Sequence, residues 1–183
     1  RSTLKRLINS KKLSRFIEAH NPISAIISET TSLKKNGKII SFDGFWSSSL
    51  TDSTAVGKPD NESLSISQRI SSIDQIFDVT TKPLIFDGDT GGQIDHLDMK
   101  IKSIERLGVS AVILEDKKGL KANSLFQNTS NQRQEDRKIF GKKLNTAKKA
   151  QRSDDFMVIA RIESFILGKE LKDALLRART YVD

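Results

Sequence analysis

Three short apolar runs in this chain end abruptly in charge. Pro83-Leu-Ile-Phe86 runs into Asp87-Gly-Asp89, Ala111-Val-Ile-Leu114 into Glu115-Asp-Lys117, and Phe156-Met-Val-Ile-Ala160 into Arg161-Ile-Glu163. Runs of this form read as buried parallel strands whose C-terminal ends open into one polar mouth. Asp87, Asp89 and Glu115 make an oxygen-only ligand set, suited to a hard cation such as Mg²⁺ or Mn²⁺ that keeps several waters. A D-x-D pair also occurs as a loop or cap feature. Arg161 either bridges Glu115 or Glu163, or presents its fork to a carboxylate or phosphoryl group. Ser47-Ser-Ser-Leu50 is either a serine-rich turn or a set of hydroxyl and N–H donors for an anion. Lys121, Asn123 and Ser124 follow in a polar loop, while His20 and His96 have no triad partners near them.

These groups need a scaffold that brings separate strand ends together. Leu4, Leu7, Ile8 and Leu13 repeat at helical spacing, giving an amphipathic helix over about 2–14. A strand candidate at 16–20 is punctuated by Asn21-Pro22, and a helix resumes from Ser24. Asn36-Gly37 predicts a small hairpin excursion. A strand at 42–46 is followed by a long polar loop from Thr51 to Ser63, a length that is usually functional or disordered. The stripe Ile66, Ile70, Ile73 and Phe77 predicts a helix, as does Leu97, Ile101, Ile104 and Leu107 up to Gly108. After the strand at 111–115 comes a polar loop to about Gln134, then a helix on Ile139, Leu144 and Ala147. The last helix carries Leu171, Ala174, Leu175 and Ala178. Strand and helix alternate about five times, so the class is α/β with a parallel sheet, doubly wound or a barrel. In both, the site lies at the carboxyl ends of the strands. No glycine-rich phosphate loop follows the first strand.

The 183 residues are 36% hydrophobic and carry a net charge of +8. That charge invites a nucleic-acid partner, but the lysines and arginines are scattered over presumed helix faces without interleaved aromatics. A solvated basic surface is the expectation, with no nucleic acid and no membrane as partner. Absence of cysteine excludes disulfides and thiolate metal sites. No apolar run approaches the roughly 18 residues of a span, and no signal peptide precedes the first helix, so the default is cytoplasmic.

The motifs together resemble the phosphoenolpyruvate mutase family, within the isocitrate lyase superfamily. The resemblance rests on Glu18-Ala-His-Asn21, Trp46-Ser-Ser-Ser-Leu50, Gly57-Lys-Pro-Asp-Asn-Glu62, Asp87-Gly-Asp-Thr-Gly91, Glu115-Asp-Lys117 with Lys121-Ala-Asn-Ser-Leu125, and Ala160-Arg-Ile-Glu163. It implies a (β/α)₈ TIM-type barrel and Mg²⁺-dependent interconversion of phosphoenolpyruvate and phosphonopyruvate, the P–C bond-forming step of phosphonate biosynthesis. By the same resemblance Asp87 would bind Mg²⁺ directly, with Asp89 and Glu115 holding it through water. Arg161 would contact substrate, Ser48, Ser49 and Leu50 would cradle the pyruvoyl end, and Trp46 would shape the wall. Asp60 would sit on a gating loop, and Lys121, Asn123 and Ser124 near the migrating phosphoryl group. Phosphonopyruvate hydrolase, a carbon–carbon lyase of the superfamily, and a non-catalytic binding module are the competing functions. A homo-oligomer is the family's implied state. The chain reaches Asp183 after about five of eight β/α units. Residues 1–183 are therefore expected to be the N-terminal part of a single barrel domain, inactive or poorly folded alone.

Overall fold

The computed structural model of the chain describes residues 2–118, 121 and 132–182. In order, the elements are α1 (Ser2–Ser10), β1 (Phe16–Glu18), α2 (Pro22–Thr30), β2 (Ser32–Lys35), β3 (Lys38–Ser41), β4 (Gly44–Ser47), α3 (Ser49–Ala55) and α4 (Ile66–Phe77). There follow β5 (Leu84–Asp87), α5 (Leu97–Leu107), β6 (Ala111–Glu115), β7 (Lys117–Lys118), β8 (Arg133–Gln134), α6 (Arg137–Ala150), β9 (Met157–Arg161) and α7 (Leu171–Val182). Strands β1, β4, β5, β6 and β9 form one five-stranded sheet in that order. Every pairing in it is parallel. The order follows the sequence, as expected for part of a β/α barrel.

Local chemistry sets the helix ends. Asn21 caps α2 by accepting from the Ser24 amide, Pro22 supplies the first turn, and Ser24 returns the bond in a capping box. Ser65 and Gln68 do the same for α4. Asp136 accepts from the Lys138 and Ile139 amides at the start of α6. Gly108 ends α5 at φ 110°, where a side chain would be strained. Asn36 and Gly37, both left-handed, turn the β2–β3 hairpin as Asn-Gly predicts.

The core lies between the sheet and its helices. Phe45, Leu84, Phe86, Val112 and Leu114 meet Ile73, Ile76, Ile101, Ile104, Phe140, Leu144 and Ala147. These strand residues all lie on one face. Alternation then sends their neighbours to the other. Register pairs Glu18 with Trp46, Trp46 with Ile85, Asp87 with Ile113, Ile113 with Ile159, and Glu115 with Arg161. Asp87, Glu115 and Arg161 therefore share one face, at the carboxyl end.

The structure departs from sequence expectation at four places. Helix α1 stops at Ser10 and leaves Leu13 62% exposed, so Leu13 joins no helical stripe. Residues 51–55, read as the start of a long loop, belong to α3. The loop after Glu115 is framed by the two-stranded pair β7–β8. On α6 and α7, Ile139, Leu171 and Leu175 face outward, while Phe140, Ala174 and Arg177 face inward. Among the described residues, no helix is long and apolar enough to cross a membrane.

Candidate active site

Strand register brings Arg161 across from Glu115, with its Nη1 3.6 Å from Glu115 Oε2 and 3.9 Å from Asp87 Oδ2. Its Nε pairs with Glu163. Both readings of Arg161 therefore meet in one geometry, because it bridges carboxylates while remaining 29% exposed at the mouth. Lys117 Nζ lies 3.2 Å from Glu163 Oε2 and 3.7 Å from Glu115 Oε2. The turn after β5 places Asp87 and Asp89 on either side of Gly88, whose amide donates to Ile113 O at 2.8 Å. A Cβ on Gly88 would stand 2.8 Å from that same oxygen, so glycine lets the turn press against β6. Asp89 holds a left-handed conformation at φ 53°, an unusual cost for a non-glycine residue at a site.

Lys121 closes the mouth from the loop side. Its Nζ donates to Ser49 Oγ at 2.6 Å and Asp60 Oδ1 at 2.9 Å, and pairs with Asp89. Ser49 Oγ in turn donates to Asp87 Oδ2 at 3.3 Å. Asp60 is thus tied to the mouth, and Glu62, two residues on, accepts from the Thr90 amide at 3.0 Å. Ser48 and Ser49 are buried, with Ser48 at the N-cap position of α3 and Leu50 in its first turn. Trp46 is half-buried on the mouth face of β4, its Nε1 buried without a partner among the described residues. Asn123 and Ser124 lie outside the described residues.

The electrostatics are unbalanced. If all were ionised, Asp52, Asp60, Asp87, Asp89, Glu115 and Glu163 would outnumber Arg69, Lys117, Lys121 and Arg161 by two charges. Burial pushes the Glu115 carboxyl up to about 7, against the pull of Lys117, Lys121 and Arg161. Burial also raises Asp89, reinforced by Asp87 and opposed by Lys121. Burial lowers Lys121, but the Asp89, Asp87 and Glu115 carboxylates outweigh it and hold the ammonium well above its usual range. Both Glu115 oxygens are buried and accept no hydrogen bond among the described residues. Such a carboxylate suits a hard cation or its waters. Among the described residues no three His, Asp or Glu side chains stand close enough to cage an ion directly. Asp87, Asp89 and Glu115 offer oxygen donors only, the kind of set a hard cation that keeps its waters takes. The donor set therefore fits a magnesium-type ion.

Sequence reasoning missed Asp52 and Arg69, both buried beneath the mouth. The signal was present for Arg69, which interrupts the apolar stripe of α4 between Ile66 and Ile73. A separate groove of about 790 Å³ beside β9 carries Lys142, Lys148, Val158 and Val182 but none of the carboxylates.

Known proteins are similar to this chain in sequence and fold. A sequence profile of the family described as "Phosphoenolpyruvate phosphomutase" matches residues 4–183. A phosphoenolpyruvate phosphomutase of Tetrahymena pyriformis is 39% identical over 181 residues, covering 97% of this chain and 56% of that protein. A crystal structure of phosphoenolpyruvate phosphomutase from Streptomyces platensis subsp. rosaceus superposes with TM-score 0.86 at 34% identity, over 99% of this chain and 60% of that one. A phosphonopyruvate hydrolase solved with oxalate and Mg²⁺ superposes at 0.81 and 29% identity, over 98% and 58%. The chain thus spans little more than half the length of each.

Proposed function

The chain belongs to the phosphoenolpyruvate phosphomutase family, and from that premise we propose that the protein interconverts phosphoenolpyruvate and phosphonopyruvate. The observation that carries this reading is the convergence of Asp87, Glu115 and Arg161 on one face of the sheet, with Lys121 and Asp60 above them. Phosphoryl migration through a loose, metaphosphate-like state needs positioning and charge stabilisation rather than a protein nucleophile. In this reading Asp87 would hold Mg²⁺ directly, with Asp89 and Glu115 reaching it through water. The ion would supply Lewis-acid stabilisation of negative charge developing on the pyruvoyl end.

The chain's own residues do the rest. Arg161 orients the substrate carboxylate or phosphoryl oxygens with its fork. Ser48, Ser49 and Leu50 line the pyruvoyl end, and Trp46 walls it. Lys121 leaves part of its carboxylate cage to meet the phosphoryl group, and Asp60, held by that same ammonium, follows it. Asn123 and Ser124 are assigned to the phosphoryl end on the sequence resemblance alone. Closure of the Asp60 loop over the mouth would exclude water, which would otherwise capture the phosphoryl group. A homo-oligomer belongs to the same reading, and light scattering on the purified protein tests it.

A second reading has its own support: the likeness to a phosphonopyruvate hydrolase solved with oxalate and Mg²⁺. Incubating the intact protein with phosphonopyruvate and Mg²⁺ separates the two by ³¹P NMR. Phosphoenolpyruvate is the expected product. Inorganic phosphate formed as the first product would overturn the mutase reading.

A further inference from the structure

Arg69 is 2% exposed, and its guanidinium reaches three other elements. Nε donates to Asp52 Oδ2 on α3 at 2.8 Å. Nη2 donates to Ser47 O at 3.1 Å and Ser47 Oγ at 3.2 Å, at the end of β4. Nη1 donates to the Asp87 carbonyl and points to Asp89 Oδ2 at 3.4 Å, beyond the end of β5. The guanidinium lies 4.1 Å from the Phe86 ring centroid. A buried cation tolerates this position only with its charge matched and its donors used. Asp52 supplies the match, and is itself fixed by Ser47 Oγ at 2.6 Å.

What Arg69 takes from Asp87 is the carbonyl, not the carboxylate. The turn from Asp87 to Asp89 is therefore pinned from the helix side while the Asp87 side chain keeps facing the mouth. If only burial mattered, a well-packed apolar residue would serve this site as well or better. The planar fork instead joins the ends of two strands to a turn with a left-handed aspartate.

We propose that Arg69 is a positioning residue for the divalent cation, acting through the Asp87 carbonyl and the Asp89 carboxylate, with Asp52 as its counter-charge. The inference rests on the Mg²⁺ reading above and extends the site to a helix that does not line the mouth. It is tested with Mn²⁺ on the intact protein, by loss of the free-ion electron paramagnetic resonance signal, comparing native, R69K, R69M and the paired D52N/R69M. Groups that orient metal ligands change affinity by about 10- to 100-fold, so R69K and R69M are expected to raise the Mn²⁺ Kd by that factor. D52N/R69M removes the buried charges together; it is expected to recover the native thermal midpoint while still binding Mn²⁺ weakly. R69K keeps the charge without the fork and separates geometry from electrostatics. A Kd within about threefold of native in R69K and in the pair overturns the proposal, as does affinity returning together with the midpoint in the pair. Failure of the native protein to bind Mn²⁺ sinks the metal reading itself, and this inference with it.

Discussion

Glu115 and Asp116 are neighbours in sequence, both acidic and both 0% exposed, yet their surroundings are opposite. The Asp116 carboxylate accepts from Gln134 Nε2, the Glu163 amide at 2.9 Å, Arg177 Nη1 at 3.1 Å and Tyr181 OH at 2.7 Å. Burial and the Asp116 charge push the Tyr181 hydroxyl far above its usual range, so it stays a donor. This hub ties the end of β6 to the start of the β9–α7 connection and to α7. The Glu115 carboxylate has cations at 3.6–3.7 Å but no hydrogen bond among the described residues. One buried acid is saturated by its own fold. The other is left with capacity for something the fold does not supply, and that contrast separates scaffold from site more sharply than burial or charge alone.

The largest effect should come from breaking the saturated side. Asp116→Ala removes the buried acceptor shared by Gln134, the Glu163 amide, Arg177 and Tyr181 and leaves Arg177 only Asp173 as counter-charge among the described residues; the expected loss is about 3–5 kcal/mol of stability, read from a denaturant midpoint. On the other side, Arg161→Ala should leave that midpoint near native and lower kcat/KM by roughly 10²–10³, as expected for a lost charge-stabilising group. Glu115 gives a pH test. Its folded carboxyl titrates at about 7 against an ordinary 4.5, so the folded protein holds a proton through that window that the unfolded chain has lost. Stability must therefore fall as pH rises from 4.5 to 7, by about 3 kcal/mol from this group. Glu115→Gln should flatten that slope, and saturating Mg²⁺ should flatten it too by favouring the carboxylate. The smallest effect belongs to Tyr181→Phe, which removes one donor of the hub but keeps the edge-to-face contact with Phe140; about 1.5 kcal/mol of stability should go, with kcat/KM unchanged.

Much of this was legible before any coordinates. Apolar runs ending in charge gave β5, β6 and β9, and alternation along them brought Asp87, Glu115 and Arg161 to one face. Asn36-Gly37 announced its hairpin. Helix α3 was hidden because Ser49, Thr51, Asp52, Ser53 and Thr54 compete with helical hydrogen bonds locally; the Ser47–Asp52–Arg69 network gives it a place. The roles of Arg69 and Asp116 were hidden for a related reason. Whether a charge is solvated or buried depends on partners 17 to 65 residues away, and no local pattern encodes those distances. The outward face of α7 was misjudged because four apolar residues in one turn and a half fit more than one stripe.

The most direct test compares Glu115→Gln with Asp116→Asn in the intact protein, measuring thermal midpoint and phosphonopyruvate turnover with Mg²⁺ on the same samples. The expected result is a crossed pattern: Glu115→Gln keeps its midpoint within about 3 °C and loses turnover, whereas Asp116→Asn loses the midpoint. A Glu115→Gln protein that turns over phosphonopyruvate at the native rate would contradict the account.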